Sequence, residues 1–495
     1  MAKVETIVFL SLVLDLFAFT IPLPLFPRLI EWYTVRETSD PTGFLSRTLQ
    51  FVSSIRTLLY KPGVQSQRWD IVLLGGLMGS VFSTLQFFVS PKIGSLSDKY
   101  GRKRILLITM IGNILSAVVW IQSTTFASYM LSRVIGGLSE GNVQLAIAIL
   151  SDVTSPATRS KALAHVGIAF AICFCIGPPI GAYFASRPVT LTGTWGPELN
   201  VYAAPAILTL ILLVAETVFL IVALPETRGK AVAAPEAKAK LNGAAANGNG
   251  AHANGHTNGH TNGHTNGNGK VATNGASTPM RTPEARLRVL KALRKLHFFF
   301  LALFSGVEFT LTFLTFDLLD WSNTQNGKLI GSIGIVSALL QGGYVRRSMS
   351  KVGEGNMARR GVSACALALV LLALLPRFVG SSPSTAMKLL QAAAVCMAFT
   401  SATVVNSLTA FASLQCDEGH VDEVTGKVTQ EHPELAKGKA LGEFRSSGQL
   451  GRALGPLLAC ASYWTFGPSI TYGVSAVAMC ALSMSMKSIA KTKSS

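Results

Sequence analysis

Gly94-Ser95-Leu96-Ser97-Asp98-Lys99-Tyr100-Gly101-Arg102-Lys103-Arg104 is the stretch that decides how this chain folds. It lies between two apolar runs, near residues 70–90 and 104–123, each long enough to cross a bilayer. A connection between two such runs is ordinarily polar and free to vary. This one holds two glycines, Gly94 and Gly101, which permit close backbone approach. It also holds one acid, Asp98, and a burst of cations that includes Arg102 and Lys103 at one membrane face.

The rest of the chain agrees with a membrane setting. Its 495 residues are 49% hydrophobic and 14% charged, with a mean hydropathy of +0.42. A soluble chain would carry about 25% charge. Twelve segments approach the roughly 20 apolar residues a spanning helix needs. They lie near 5–30, 70–90, 104–123, 127–150, 161–185, 201–224, 297–319, 328–345, 361–379, 386–411, 443–466 and 468–488. The expected fold class is therefore all-α and membrane-embedded, with 12 transmembrane helices in two six-helix halves, residues 1–225 and 291–495. The first segment carries no small-residue cleavage site and reads as a retained span rather than a signal peptide.

Residues 226–290 are of another kind. Asn-Gly-His-Thr repeats three times from Asn254 to Thr265. Such a composition cannot bury enough apolar surface to offset chain entropy, so a disordered cytosolic linker is expected. A flexible glycine-rich tract does not preorganise ligands, and no metal site is expected there. The linker's basic end (Arg281, Arg286, Arg288, Lys291, Arg294, Lys295) reads as a short helix at the membrane surface.

The net charge of +18 would suggest nucleic acid in a soluble protein. Here the cations cluster in loops between apolar segments, which points to orientation in a bilayer instead. Lys92 to Arg104, Arg159, Lys161, the linker, Arg346 to Arg360, Lys427 to Lys439 and Lys487 to Lys493 all fall on one side. That side is expected to be the cytosol, with both termini on it. The long first loop is the exception, with Arg36, Arg47, Arg56 and Lys61. Within it Leu45, Leu49, Val52, Ile55 and Leu59 recur at helical spacing, as in an amphipathic helix on the non-cytosolic surface. Six of the seven cysteines lie in apolar runs and form neither a disulfide framework nor a metal knuckle.

Halves of similar build leave a repeat. Lys161-Ala162-Leu163 and Gly177-Pro178 match Lys439-Ala440-Leu441 and Gly455-Pro456 at one offset, in the fifth span of each half. Gln341-Gly342-Gly343-Tyr344-Val345-Arg346-Arg347 through Arg360 reads as a degenerate copy of the opening stretch.

Ionisable groups inside spans are costly, roughly 2.5–3.5 kcal/mol each at a helix centre, and so carry the mechanism. Asp15 is flanked by apolar residues and followed by Pro22, Pro24 and Pro27, which should kink or unwind the helix. It reads either as a protonatable site or as an acid bonded to a neighbouring helix. Arg133 cannot release its proton at useful pH. It is expected to pair with an acid, Asp15, or else to snorkel at the non-cytosolic end. Glu308 lies among aromatics in its span, and Arg452 lies deep in the eleventh; the two are expected to pair across the cavity. Asp317 and Asp320 lie nearer a span end, in reach of water. Asn142, Gln144, Asn406 and Gln449 are polar candidates for the same lumen.

The opening stretch resembles the loop between helices 2 and 3 of the major facilitator superfamily, G-x-L-[SAT]-D-[RK]-x-G-R-[RK], with every defined position filled. The resemblance implies a secondary transporter working by alternating access. It implies that Gly94, Asp98, Gly101, Arg102 and Lys103 form a cytosolic gate, with Asp98 paired to Arg102 and to the N-terminal end of the eleventh helix. Arg133, Gly136, Gly137 and Gly141 resemble the family's fourth-helix motif, whose arginine is tied to proton coupling. Gly177-Pro178-Pro179-Ile180-Gly181 is similar to the core of the antiporter motif, although Cys173 stands where that motif has an upstream glycine. Glu308-Phe-Thr, Gln341 through Arg347, and Arg445 through Gly455-Pro456 resemble the tetracycline transporter-like branch of the drug:proton antiporters. The resemblance covers both halves but neither the linker nor 416–437.

The expectation is a monomeric carrier in a lipid bilayer that exchanges a proton for a small organic solute, amphipathic or anionic. Asp15, Arg133 and Glu308 are its proton-coupling candidates. No cofactor, metal or nucleic acid is expected. A nucleophile–base pair and a P-loop are both missing from the sequence, so neither an enzyme nor an ATP-driven pump is expected. A proton-independent facilitator or symporter of the same fold is the alternative. A scaffold or receptor working through its linker is a more distant one. Plasma membrane and endomembrane both remain open.

Overall fold

The computed structural model describes residues 3–22, 25–37, 39–59, 67–185, 199–228, 282–321, 323–416, 420–421, 428–429 and 432–490. The linker expected between the halves lies outside the described residues over 229–281, as do Pro24 and Lys61.

The first crossing is α1 (Val4–Thr20), which stops just before Pro22, and the chain resumes in α2 (Phe26–Arg36). The break expected from the prolines is present. Helix α3 (Phe44–Leu59) fills the first loop. Helices α4 (Gln67–Tyr100), α5 (Arg102–Ile121), α6 (Phe126–Ser139) with α7 (Asn142–Val153), α8 (Pro156–Ala185) and α9 (Ala203–Ala223) complete six crossings.

The second set starts with α10 (Pro283–Leu319). Helix α11 (Asn323–Leu340) continues through a π turn (Gln341–Val345) into α12 (Arg346–Val352). Helices α13 (Glu354–Val379), α14 (Pro383–Leu414), α15 (Lys437–Phe466) and α16 (Pro468–Ala490) follow. Between α14 and α15 two short strands, β1 (His420–Val421) and β2 (Val428–Thr429), pair antiparallel.

Among the described residues nine segments are long and apolar enough to span a membrane by themselves. Helices α1, α4 and α15 are not among them. Helix α1 has 17 residues, and α4 and α15 meet along the seam between the halves, where polar side chains join them. Ser80 donates to Ala453 O at 2.8 Å and Ser446 to Phe87 O at 2.6 Å across that seam. The two helices touch backbone to backbone at one end. A Cβ added at Gly94 would fall on the carbonyl of Gly438, and one at Gly442 on the carbonyl of Ser90. Small residues permit this approach, and any larger side chain would force the helices apart.

The repeat appears as packing. In the first half, α8 lies on α1 through Gly177 and Gly181, whose missing Cβ atoms leave room for Thr20 and the Ile21 carbonyl. In the second half, α15 lies on α10 through Gly451 and Gly455, against the carbonyls of Phe298 and Ala302. The degenerate second copy of the Gly94–Arg104 stretch is also structural. Gly353 (φ +84°) starts α13 as Gly101 (φ +103°) starts α5, both in the left-handed region that favours glycine.

Two details differ from expectation. Leu45 and Val52 of α3 are buried against the bundle's own aromatic end, with Leu29, Tyr33, Phe126 and Tyr129, so much of its apolar face packs on protein. The basic segment after the linker does not lie apart on the membrane surface. It is the first part of α10, with Arg286 donating to the Gln415 carbonyl at 2.9 Å and Arg294 paired with Glu443.

Candidate functional site

The Gly94–Arg104 stretch ends α4 and begins α5. Gly101 turns the chain, and a Cβ there would meet the Glu226 carboxylate. That carboxylate accepts the amides of Arg102 (2.8 Å) and Lys103 (3.2 Å) and so caps α5. Asp98 faces the other half. It accepts the Gly438 amide at 2.9 Å and the Lys439 amide at 2.7 Å, both in the first turn of α15, where the helix dipole favours an anion. Arg102 pairs with Asp98 at 2.7 Å and with Asp152 at 2.9 Å, and Lys437 approaches Asp152 at 3.5 Å. The charges thus alternate in sign from Asp98 through Arg102 and Asp152 to Lys437 of the second half, and Arg102 is only 4% exposed. Lys103 takes no part in the chain of charges; its ammonium donates to the Ile221 carbonyl at 2.8 Å.

A second tie lies beside it. Arg159 is fully buried and donates to the carbonyls of Ser151 (3.0 Å), Thr154 (3.0 Å) and, from the second half, Ser413 (3.2 Å). Ser160 donates to Glu354 at 2.5 Å. The sequence offered Arg159 only as an orienting charge, and the structure makes it a brace.

Deeper in the bundle, Asp15 is buried and accepts from Asn142 at 2.6 Å. Asn142 stands just beyond the Glu140–Gly141 break that separates α6 from α7. The break leaves Glu140 beside a cavity of about 70 Å³ that Asp15, Phe19, Phe82, Asn113 and Arg133 also line. The Arg133 guanidinium lies over the Phe82 ring, 4.5 Å from its centroid. Asp15 therefore has Asn142, not Arg133, as its hydrogen-bond partner, while Arg133 acts on Glu140.

The charges that act on Asp15 are Glu140 and, from α15 in the other half, Arg445. Arg445 acts on Glu140 as well, and Arg452 acts on Arg445. Arg445, Gln449 and Arg452 share one face of α15. No ion pair within 4 Å joins Arg445 to either acid, and its Nε is buried without a hydrogen-bond partner. One cation of the second half thus acts on two acids of the first without touching either. Behind them Glu216 of α9 is fully buried, takes a hydrogen bond from Ser11 at 2.7 Å, and leaves Oε2 without a partner.

Other expected positions fall elsewhere. Glu308 and Arg452 form no ion pair, and both belong to the second half rather than to opposite walls. Gly306 faces α15, and two residues later the α10 helix has turned about 200°, which carries Glu308 away from Arg452. Gln144 donates to the Ser90 carbonyl at 2.9 Å and ties α7 to α4. Asn406 and Gln341 lie against Gly167 where α8 meets the second half. Pro178 lies within α8 between the two contact glycines, and Cys173 still packs on α1, its thiol 3.4 Å from the Val13 carbonyl.

Sequence reasoning missed Glu140, Glu216, Arg445 and His297. Glu216 had the same signal as Asp15, since it stands in Leu212-Leu213-Val214-Ala215-Glu216-Thr217-Val218. His297 is buried where α10 crosses α15, stacked on Phe444 with centroids 4.2 Å apart and donating from Nδ1 to its carbonyl at 3.2 Å.

Comparison with known proteins places this arrangement. The profile of the Major Facilitator Superfamily matches residues 8–430. Major facilitator superfamily domain-containing protein 10 of Mus musculus is 34% identical over 472 residues, covering 95% of this chain and 90% of that protein. Its Homo sapiens counterpart is 32% identical over 465 residues, covering 94% and 88%. The crystal structure of the human organic anion transporter MFSD10 (TETRAN) matches with a TM-score of 0.70 and 29% identity over 98% of each chain. The proton:xylose symporter XylE, at 14% identity and a TM-score of 0.62, shares the fold alone. The class H tetracycline resistance protein of Pasteurella multocida is 33% identical over 106 residues, 21% of this chain and 26% of that protein. This chain belongs to the major facilitator superfamily, a family of multi-pass membrane transporters rather than enzymes.

Proposed function

We propose that the chain is a proton-coupled carrier of small organic anions, working as a monomer by alternating access. The motif side is the cytosol and holds both termini. The observation that carries this reading is Arg445, a half-buried cation whose buried Nε has no hydrogen-bond partner and whose charge acts on both Asp15 and Glu140 of the first half. A carboxylate or sulfate reaching Arg445 would find that donor, and such a charge-assisted bond is about twice as strong as a neutral one. The likeness to the human organic anion transporter MFSD10 supports the same substrate class.

Protons couple because the acids and the solute compete for one guanidinium. Proton uptake by Asp15 or Glu140 frees Arg445 for the anion, and proton loss returns it to the acids. Asp98, Arg102 and Arg159 hold the cytosolic side shut in this conformer, and a ligand shifts the conformers only by its differential affinity for them.

The glycines at Gly177 and Gly181 resemble an antiporter motif and support exchange of proton for solute. One observation favours a second reading, cotransport: because Arg445 serves both acids, anion and proton binding help each other at this site. Reconstituted vesicles separate the two. Inward proton flow that expels a preloaded fluorescent organic anion marks exchange; inward proton flow that accumulates it marks cotransport. Flux indifferent to the pH gradient would overturn proton coupling.

A further inference from the structure

The two helix starts that follow Gly101 and Gly353 differ in what faces them. At α5 the chain's own Glu226, just beyond α9, accepts the first amides. At α13, among the described residues, no side chain accepts the first amides, and a Cβ added at Gly353 would meet open space. A cavity of about 420 Å³ lies there instead, lined by Lys351, Val352, Asn356, Arg359 and Arg360. Among the described residues none of its three cations is in an ion pair within 4 Å, and Arg360 has one weak contact, 3.4 Å from the Tyr344 hydroxyl. The adjacent acid, Glu354, is engaged by Ser160 of the first half.

The last span offers no equivalent of Glu226. From Pro468 to Ser495 the sequence contains neither Asp nor Glu. It brings another cation instead. Ser363 and Ser483 touch at 2.7 Å, and one turn onward along each helix Arg359 and Lys487 come to the same level. The cavity also lies at the ends of two spanning segments, Gln325–Met349 and Glu354–Val379, and so at the height of lipid headgroups.

We propose that this cavity binds a phosphate-bearing anion, the headgroup of an anionic lipid on the motif side, which completes in the second half what Glu226 completes in the first. A phosphate offers several acceptor oxygens to converging lysine and arginine donors. The space is far larger than one carboxylate needs.

The test uses the full chain in phosphatidylcholine nanodiscs. Its probes are a short-chain phosphatidylinositol phosphate, the matching inositol phosphate without tails, and inorganic phosphate. Each cation near a charged headgroup is worth about fivefold in binding. The triple variant Lys351→Gln/Arg359→Gln/Arg360→Gln should then bind the lipid roughly a hundredfold more weakly, and Arg359→Gln alone about fivefold more weakly. The comparison triple Arg288→Gln/Lys291→Gln/Lys295→Gln, on the exposed part of α10, should stay near wild type. Lipid binding above that of the tail-free probes assigns the headgroup. Equal binding of all three keeps the site and assigns a free anion. Equal losses in both triple variants, or no binding of any probe, would overturn it.

Discussion

Asp98 of α4 accepts the backbone amide of Gly438 at 2.9 Å, so one carboxylate of the first half caps the first turn of a helix in the second. The same oxygen pairs with Arg102 at 2.7 Å. Replacing Asp98 with Asn keeps the shape and removes the charge. The expected loss is about 2 kcal/mol of closure on the motif side, or roughly thirtyfold in the closed-to-open ratio. Spin-label distances between Lys99→Cys and Arg346→Cys should lengthen in Asp98→Asn. An unchanged distance distribution would show that the contact is incidental.

The helix crossing beneath that contact tolerates no side chain. Gly94→Leu should push α4 from the Gly438 carbonyl and open the same labelled pair, while the protein remains folded in detergent. Transport should fall with closure, because a carrier that cannot shut one side cannot alternate. Full transport in Gly94→Leu would mean that the halves do not close here.

Arg159 serves three carbonyls from two halves with one planar fork. Lysine has the charge but not the geometry. Arg159→Lys should therefore lower the thermal midpoint, at a cost of about 2–3 kcal/mol for carbonyls left without donors. A wild-type midpoint would reduce Arg159 to an orienting charge.

Asp15→Asn should abolish pH-driven flux, by at least about a hundredfold, while solute binding persists. Glu216→Gln is expected to weaken the pH response less, since Glu216 stands behind Asp15 on Ser11. The double variant should be no worse than Asp15→Asn alone, as for residues that act as one unit. Wild-type pH dependence in Asp15→Asn would remove that residue from the mechanism.

The fold was legible because its rules are local. Span lengths, the Gly94–Lys103 pattern and the glycines of α8 and α15 each state their packing in a few adjacent residues. The site was legible only in part. Asp15, Arg133 and Asn142 come together around one break, as single costly groups in apolar runs should. Which of them pair was not legible, because it depends on helix rotation. A turn of about 200° between Gly306 and Glu308 separates an expected partner from a distant one. Arg445 was overlooked because its half-turn neighbours are polar: Glu443, Ser446 and Ser447 make that part of α15 look like a loop edge. Its place in the proposed coupling follows only from its action on two acids of the first half.

The account rests on Arg445 answering to Asp15 and Glu140 across the seam. Arg445→Gln, reconstituted in vesicles, tests it most directly through proton movement recorded with organic-anion flux under an imposed pH gradient. The expected result is loss of both anion flux and anion-driven proton movement, with the Lys99–Arg346 label distances unchanged. Undiminished, gradient-driven anion flux in Arg445→Gln would contradict it.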